Sequence, residues 1–321
     1  MKAVVYRRYG PPDVLRVEDV EKPAPRDDQV LLRVHAASVN AADRVLLRGK
    51  PFMIRLGMGF PKPRNRILGF DVAGRVEAVG GHVTAFKPGD EVFGASKFGA
   101  FAEYACVSEQ TLVPKPINVS FEQAAATPTA AYTALQALVS KGHLQSGQKV
   151  LIDGASGGVG TFAVQIAKAC GAEVTAVCST RNIEIVQSIG ADYVIDYSRQ
   201  EFAQGVARYD LIIGANAYRP LSDYARALEP DGTYVMSGGG STQILQAIFH
   251  GLWLTTISRK KLRNFVAIAK KEDLLIVKEL LETGKIVPVI ERTYPLQEVP
   301  EAIRRIEEEH ARGKTVITIA S

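Results

Sequence analysis

Cysteine is scarce in this chain of 321 residues: only Cys106, Cys170 and Cys178 occur, an odd number without metal-ligand spacing. A disulfide framework is excluded, and a reducing, cytoplasmic setting is expected. Long apolar runs are missing too, so no segment is expected to span a bilayer and no membrane partner is expected. The N-terminus enters an alternating stretch, Lys2 to Tyr6, where a secretory signal would have an apolar core. Histidine is thin as well. His35, His82, His143, His250 and His310 are scattered without ligand spacing and read as surface or locally bonded residues. Nor is there an excess of one charge large enough to point to nucleic acid: 39 Lys and Arg against 34 Asp and Glu leave +5, a balance that favours an anionic ligand at most. The late basic run, Arg259, Lys260, Lys261, Arg263, Lys270 and Lys271, has no interleaved aromatics and reads as a solvated face.

What is present is organised around Lys149 to Gly160. Val150, Leu151 and Ile152 form a short apolar run, a glycine-dense turn follows, and a helical period then sets in at Val159, Phe162, Ala163, Ile166, Ala167 and Cys170. Ala155, Gly157 and Gly160 fill the three small-residue positions of G-x-G-x-x-G, with alanine first. The first two allow a tight turn and close approach to a pyrophosphate, and the third lets helix and strand pack closely. Freed N–H groups at the helix start then hold phosphates. Alone, such a turn is equally an ordinary strand-to-helix connection; its surroundings decide. Gly171 stops the helix, Glu173–Cys178 reads as a strand, and Ile183–Ile189 as a helix stopped by Gly190. Further strands are expected at Tyr193–Ile195, Asp210–Ile213 and Thr233–Ser237. This alternation implies an α/β, doubly wound parallel sheet.

The first 120 or so residues differ. Short alternating runs at Lys2–Tyr6, Val30–Ala36, Ala73–Ala78, Glu91–Phe93 and Phe101–Val107 are separated by Gly, Pro and Asp, the mark of a mostly β module. An Ala-rich helical stretch, Ala124–Val139, opens the nucleotide-binding part. The expected division is 1–123, 124–262 for the dinucleotide-binding domain, and 263–321 returning to the first module.

Leu68 to Gly80, Gly89 to Gly94, Gly99 to Tyr104, Gly154 to Gly160 and Gly313 to Ile317 stand in an order that resembles the medium-chain dehydrogenase/reductase superfamily over essentially the whole chain. The resemblance implies a GroES-like, mostly β catalytic domain made from both chain ends, a Rossmann domain inserted between them, and an active site in the interdomain cleft. Zinc-dependent members supply metal ligands from Cys-x-x-Asp and Gly-His-Glu motifs. The matching segments here are Asn40-Ala41-Ala42-Asp43 and Gly69-Phe70-Asp71, where asparagine replaces the thiolate and phenylalanine the imidazole. About three Cys, His or carboxylate ligands are needed for catalytic zinc, so metal-free catalysis is expected. The nearest branch resembles the zinc-independent quinone oxidoreductases, including reticulon-4-interacting-protein-like enzymes. That implies NADPH-dependent hydride transfer to a small hydrophobic quinone or α,β-unsaturated carbonyl.

The end of the second Rossmann strand carries no acid for a ribose 2′-OH; Ser179, Thr180 and Arg181 instead suit the 2′-phosphate of NADPH. With Ser156, Gly157, Gly158 and Val159 of the turn, they form the expected cofactor set. Ala215, Ser237, Gly238 and Gly239 join it as the small residues after the fourth and fifth strands. By resemblance, Tyr197 lies over the adenine end, His310 and Arg312 near the cofactor, and Thr129 at the nicotinamide carboxamide. Thr129 is equally read as a helix N-cap. Among the expected catalytic residues beside Thr129, Asn40 donates a hydrogen bond to the acceptor oxygen or the cofactor, and Asp43 orients its loop. Arg44 to Arg66, basic and without an acid, is expected to form a lid that is apolar inside and basic outside, or else a solvated crossing loop. Leu252–Ile257 resembles an edge strand that pairs relatives into homodimers. A tyrosine proton donor found in enoyl-thioester reductases is replaced here by Val45, Pro51 and Phe52, which weakens that alternative. A non-catalytic NADPH-binding protein is the other alternative.

Overall fold

A computed structural model describes residues 1–200, 207–238, 260–308 and 312–319. The chain divides into two compact units, one of Met1–Thr129, Ala269–Thr283 and Pro288–Ser321, the other of Ala130–Ile268 and Gly284–Val287.

In chain order the first unit begins with β1 (Lys2–Val5), β2 (Arg16–Asp19) and β3 (Gln29–Val39), then α1 (Ala41–Arg48) and α2 (Met53–Met58). β4 (Asp71–Val79), β5 (Glu91–Ala95), β6 (Tyr104–Ser108), β7 (Leu112–Pro114) and α3 (Phe121–Ala125) follow, with α4 (Pro128–Leu135) beginning at its edge. The second unit holds β8 (Lys149–Asp153), α5 (Gly158–Ala169), β9 (Glu173–Cys178), α6 (Ile183–Ser188), β10 (Tyr193–Asp196), β11 (Tyr209–Gly214), α7 (Leu221–Ala227), β12 (Leu228–Met236) and β13 (Lys261–Asn264). The chain then returns to the first unit with α8 (Lys271–Glu282), β14 (Ile290–Pro295), α9 (Val299–Glu308) and β15 (Lys314–Thr318).

The first unit is built on a seven-stranded sheet of order β14-β15-β3-β4-β5-β7, with β6 also paired to β3. β15 runs antiparallel to β3, and β3 antiparallel to β4, so the last described strand lies beside the strand that leads into Asn40. Both ends of the sequence share one core: Val4, Tyr6 and Leu32 pack with Ile303 and Ile317.

The second unit's sheet has the order β10-β9-β8-β11-β12-β13 with every pair parallel. This is the doubly wound arrangement in which the chain departs in both directions from its first strand. Strands covered on both faces must be apolar along their length, and Val150, Leu151, Ile152, Leu211, Ile212 and Ile213 are all buried. Gly171, with φ of 80°, ends α5 as its position implied.

Two local expectations change. Ala124–Val139 is not one helix: Pro128, lacking an N–H, starts a second helix after α3, and the chain finishes in a wider π-turn over Gln136–Lys141. Thr129 therefore sits inside the first turn of α4 and is not its N-cap. The segment Arg44 to Arg66 also contains regular structure, α1 and α2, in place of a continuous loop. Its basic side chains keep largely to the expected outside, with Lys50, Lys62, Arg64 and Arg66 exposed, but its apolar side chains do not keep to the inside. Arg55 turns inward, donating from Nε to the Gly49 carbonyl at 3.0 Å and lying 4.8 Å from the Tyr9 ring centroid, whereas Phe52, Met53, Leu56 and Phe60 are exposed. Leu252–Ile257, Gly239 and His310 fall outside the described residues. Among the described residues no helix is long and apolar enough to cross a membrane.

Candidate functional site

The nucleotide turn of the second unit joins β8 to α5. The Gly157 N–H donates to the Gly154 carbonyl at 3.1 Å, closing the turn on itself, and the Ala155 N–H donates to the Val177 carbonyl at 3.1 Å, binding the turn to the neighbouring strand β9. A side chain at Gly160 would put its Cβ 2.1 Å from the Gly154 oxygen and 2.7 Å from Ala155 Cα. Only glycine allows α5 to start this close beneath the turn, leaving Gly158 and Val159 in its first turn with backbone N–H groups directed outward from the helix start.

At the end of β9 the expected residues separate. The Ser179 Oγ is buried without a hydrogen-bond partner among the described residues, the state of a hydroxyl that awaits a ligand. Thr180 instead donates its hydroxyl to Asp196 at 2.5 Å, so it faces the neighbouring strand β10. This hydrogen bond is the first cause of a carboxyl pKa at Asp196 below the usual range. Arg181 is exposed, and Tyr197 is 40% exposed on the same edge. Asn182 links this edge to the turn, donating to Ser156 Oγ at 2.8 Å, while its own Oδ1 is buried without a partner among the described residues. These unsatisfied oxygens and the cradle under Gly160 fit a dinucleotide.

At the carboxyl ends of β8 and β11, Asp153 pairs in register with Gly214, and Ala215 donates its N–H to the Asp153 carbonyl at 3.0 Å. The Asp153 carboxyl is buried and accepts the Tyr224 hydroxyl at 2.5 Å; burial raises its pKa. Ser237 donates its backbone N–H to Gly214, and the Gly238 carbonyl accepts from Ala217, so the small residues expected near the cofactor do converge on one edge.

The first unit holds a polar cluster that the sequence suggested only in part. Adjacent strands β15, β3 and β4 supply Lys314, Ser38 and Asp71, and Asn40 follows β3 directly. Asp71 is fully buried. Its Oδ2 accepts from Ser38 Oγ at 2.8 Å, Asn40 Nδ2 at 3.0 Å and Lys314 Nζ at 3.5 Å; its Oδ1 accepts from the Thr129 backbone N–H at 2.9 Å and the Thr129 hydroxyl at 2.6 Å. Lys314 Nζ donates chiefly to Asn40 Oδ1, at 2.7 Å. Burial lowers the Lys314 pKa, and Asp71 pulls the other way.

Asp43, also fully buried, accepts the Asn40 N–H on Oδ2 at 2.8 Å and the Gly69 N–H on Oδ1 at 3.0 Å. It ties the start of α1 to the Gly69 turn. Burial pushes its carboxyl up to about 7 against those two donors. Asn40 donates its amide hydrogens to Asp71 and, at 3.4 Å, to the Ser38 carbonyl, and so organises the cluster.

Zinc does not fit this donor set. Asn40 stands where a thiolate would, Phe70 packs on Phe98 at 5.3 Å between ring centroids, and the cation beside Asp71 is the ammonium of Lys314. Among the described residues no group of three His, Cys, Asp or Glu is placed to hold a metal. Arg312, described at the start of the final stretch, donates its N–H to Glu291 at 3.1 Å.

Comparison with known proteins places these features. Residues 26–117 match the alcohol dehydrogenase GroES-like domain family, and residues 189–317 match the zinc-binding dehydrogenase family. The chain is 36% identical to the human mitochondrial NAD(P)H oxidoreductase RTN4IP1 over 99% of its own length and 89% of that protein. It is 33% identical to the chloroplastic NADPH-dependent alkenal/one oxidoreductase of Arabidopsis thaliana, over 99% of its length and 79% of the relative. Among solved structures, the quinone oxidoreductase from Coxiella burnetii superposes with a TM-score of 0.85 at 30% identity, covering 100% of this chain and 99% of that one. These findings correct the expectation of a cytoplasmic protein: relatives whose names give a location are mitochondrial or chloroplastic. Low cysteine content reports a reducing milieu, which organelle interiors share, and so does not separate the compartments.

Proposed function

Because the chain belongs to the medium-chain dehydrogenase/reductase superfamily, in its zinc-independent quinone oxidoreductase branch, we propose that it reduces a small hydrophobic quinone or α,β-unsaturated carbonyl with NADPH. The observation that carries this reading is the pairing of an intact dinucleotide turn with a cluster in which lysine and asparagine stand in place of a metal and its ligand. Relatives named as quinone and alkenal/one oxidoreductases support it.

NADPH, when bound, supplies the hydride. The turn Ser156 to Val159 holds its pyrophosphate on helix-start N–H groups. Ser179 and Arg181 take the 2′-phosphate, with Tyr197 beside them; Thr180, engaged with Asp196, contributes through its position only. Ala215, Ser237 and Gly238 let the backbone approach the cofactor closely. Thr129 accepts the nicotinamide carboxamide. Asn40 and Asp43 shape the first unit's cluster and move no proton. The chain's residues accelerate the reaction by holding donor and acceptor together, an effect worth roughly 7 to 11 kcal/mol in well-oriented systems.

Spectrophotometric NADPH oxidation with 9,10-phenanthrenequinone, a 2-alkenal and crotonyl-CoA tests this. Turnover of the quinone or alkenal is expected. Turnover of crotonyl-CoA alone would make the chain an enoyl-thioester reductase, and tight NADPH binding without any turnover would make it a binding protein.

A further inference from the structure

Lys314 is the least conspicuous member of the first unit's cluster and the one that fixes its directionality. An asparagine amide fits a site in either of two orientations, but here its neighbours are a group that can only donate and a group that, when ionised, can only accept. The ammonium on one side takes Oδ1 of Asn40 at 2.7 Å, and the carboxylate of Asp71 on the other takes Nδ2 at 3.0 Å. The same ammonium is the buried counter-charge of Asp71, with both side chains nearly inaccessible. Paired in this way, Asp71 presents Oδ1 as an acceptor to the Thr129 N–H and to the Thr129 hydroxyl. A threonine hydroxyl has one hydrogen. With that hydrogen directed at Asp71, any further hydrogen bond at the oxygen is one that Thr129 accepts.

We propose that Lys314 is a positioning residue that, through Asp71, makes Thr129 an obligate acceptor, so that the site selects a ligand amide N–H at this point and rejects a carbonyl oxygen. The role rests on the nicotinamide-dependent reading above: the ligand group concerned is the carboxamide NH₂ of the nicotinamide ring. It also removes Thr129 as a proton donor to the substrate. A purely structural buried ion pair would hold the fold together and would be indifferent to which groups the cofactor presents.

The two roles separate with a cofactor that lacks the amide hydrogens. Reduced 3-acetylpyridine adenine dinucleotide phosphate carries a methyl ketone where NADPH carries the carboxamide. Dissociation constants for both nucleotides are measured by fluorescence titration, without turnover, on the full chain and on Lys314→Arg, Lys314→Met and Lys314→Met/Asp71→Leu. The double variant replaces the ion pair with apolar side chains of similar length, an exchange that folded proteins commonly tolerate. Melting curves accompany every titration.

The native chain and Lys314→Arg are expected to prefer NADPH by about tenfold, the scale of one neutral hydrogen bond. Lys314→Met and the double variant are expected to bring the two nucleotides within about twofold of each other. A folded double variant that keeps the native preference, or variants that weaken both nucleotides by the same factor, would overturn the role of Lys314 alone. A native chain that binds neither nucleotide would overturn the oxidoreductase reading, and this role with it.

Discussion

Replacing Gly160 with alanine tests whether the close approach of α5 to its preceding turn serves nucleotide binding. The added carbon would lie 2.1 Å from the Gly154 oxygen and 2.7 Å from Ala155 Cα, both backbone atoms. Non-bonded heavy atoms settle at about 3.5 Å or more, so helix and turn must part by roughly 1 Å. The turn has little freedom to yield, since Ala155 and Gly157 are tied by N–H bonds to Val177 and Gly154, and Thr161 N–H donates to the Gly157 carbonyl at 2.9 Å. Overpacking of this kind costs about 1–3 kcal/mol. Alanine's better helix propensity offsets up to about 1 kcal/mol of that, so the variant remains folded. The phosphate-binding N–H groups, however, move with the turn, and a displacement of about 1 Å is worth on the order of 100-fold in a positioned site. Fluorescence titration with NADPH, run beside a thermal melt, is expected to show a Kd raised about 100-fold, or ~2.7 kcal/mol. A Kd within about threefold of native in a folded variant would refute the assignment of the turn as the pyrophosphate site.

Three further outcomes are expected. Arg181→Ala raises the Kd for NADPH by about 10- to 150-fold, the loss of one charge-assisted hydrogen bond, and leaves NADH nearly unchanged; equal losses for both would remove the 2′-phosphate assignment. Burial raises the folded-state pKa of Asp43 from 3.8 to about 7, so the folded chain retains a proton that the unfolded chain has released between those values. Its stabilising contribution is therefore full below pH ~4 and is lost as pH rises to ~7. Scanning calorimetry should show the native advantage over Asp43→Asn shrinking across that window; an advantage that grows with pH would mean that the Asn40 and Gly69 N–H groups hold the carboxylate ionised. Tyr224→Phe keeps the ring stacked on Tyr234 but removes the 2.5 Å hydrogen bond to buried Asp153. A loss of about 1–3 kcal/mol is expected, visible as a lower Tm, and an unchanged Tm would show that Asp153 does not depend on that donor.

The parallel sheet was legible because its determinants are local. Apolar runs such as Val150–Ile152, a small-residue turn and a helix-stopping Gly171 each act within a few residues of themselves, and together they admit one topology. The polar cluster was only partly legible. Asn40 and Asp43 stand out in the sequence through the Asn-x-x-Asp spacing, yet the direction of the Asn40 amide depends on Lys314, 274 residues away in the chain. In the sequence Asp71 is only the neighbour of a missing metal ligand, with no adjacent residue to give it a role. One signal for Lys314 was available: a lysine opening the otherwise apolar run Thr315-Val316-Ile317 is out of place in a buried strand unless a carboxylate meets it. Likewise, Thr180 carried the right chemistry for a phosphate, but pairing of β9 with β10 brings Asp196 alongside and takes its hydroxyl.

Strand β15 supplies the ammonium that Asp71 and Asn40 require. Every strand of the parallel sheet precedes residue 314 in the chain, and none of them contributes to the pairing of Asp71. Removing the last described strand would therefore strip the buried carboxylate of its counter-charge and leave every strand of the nucleotide-binding sheet in place.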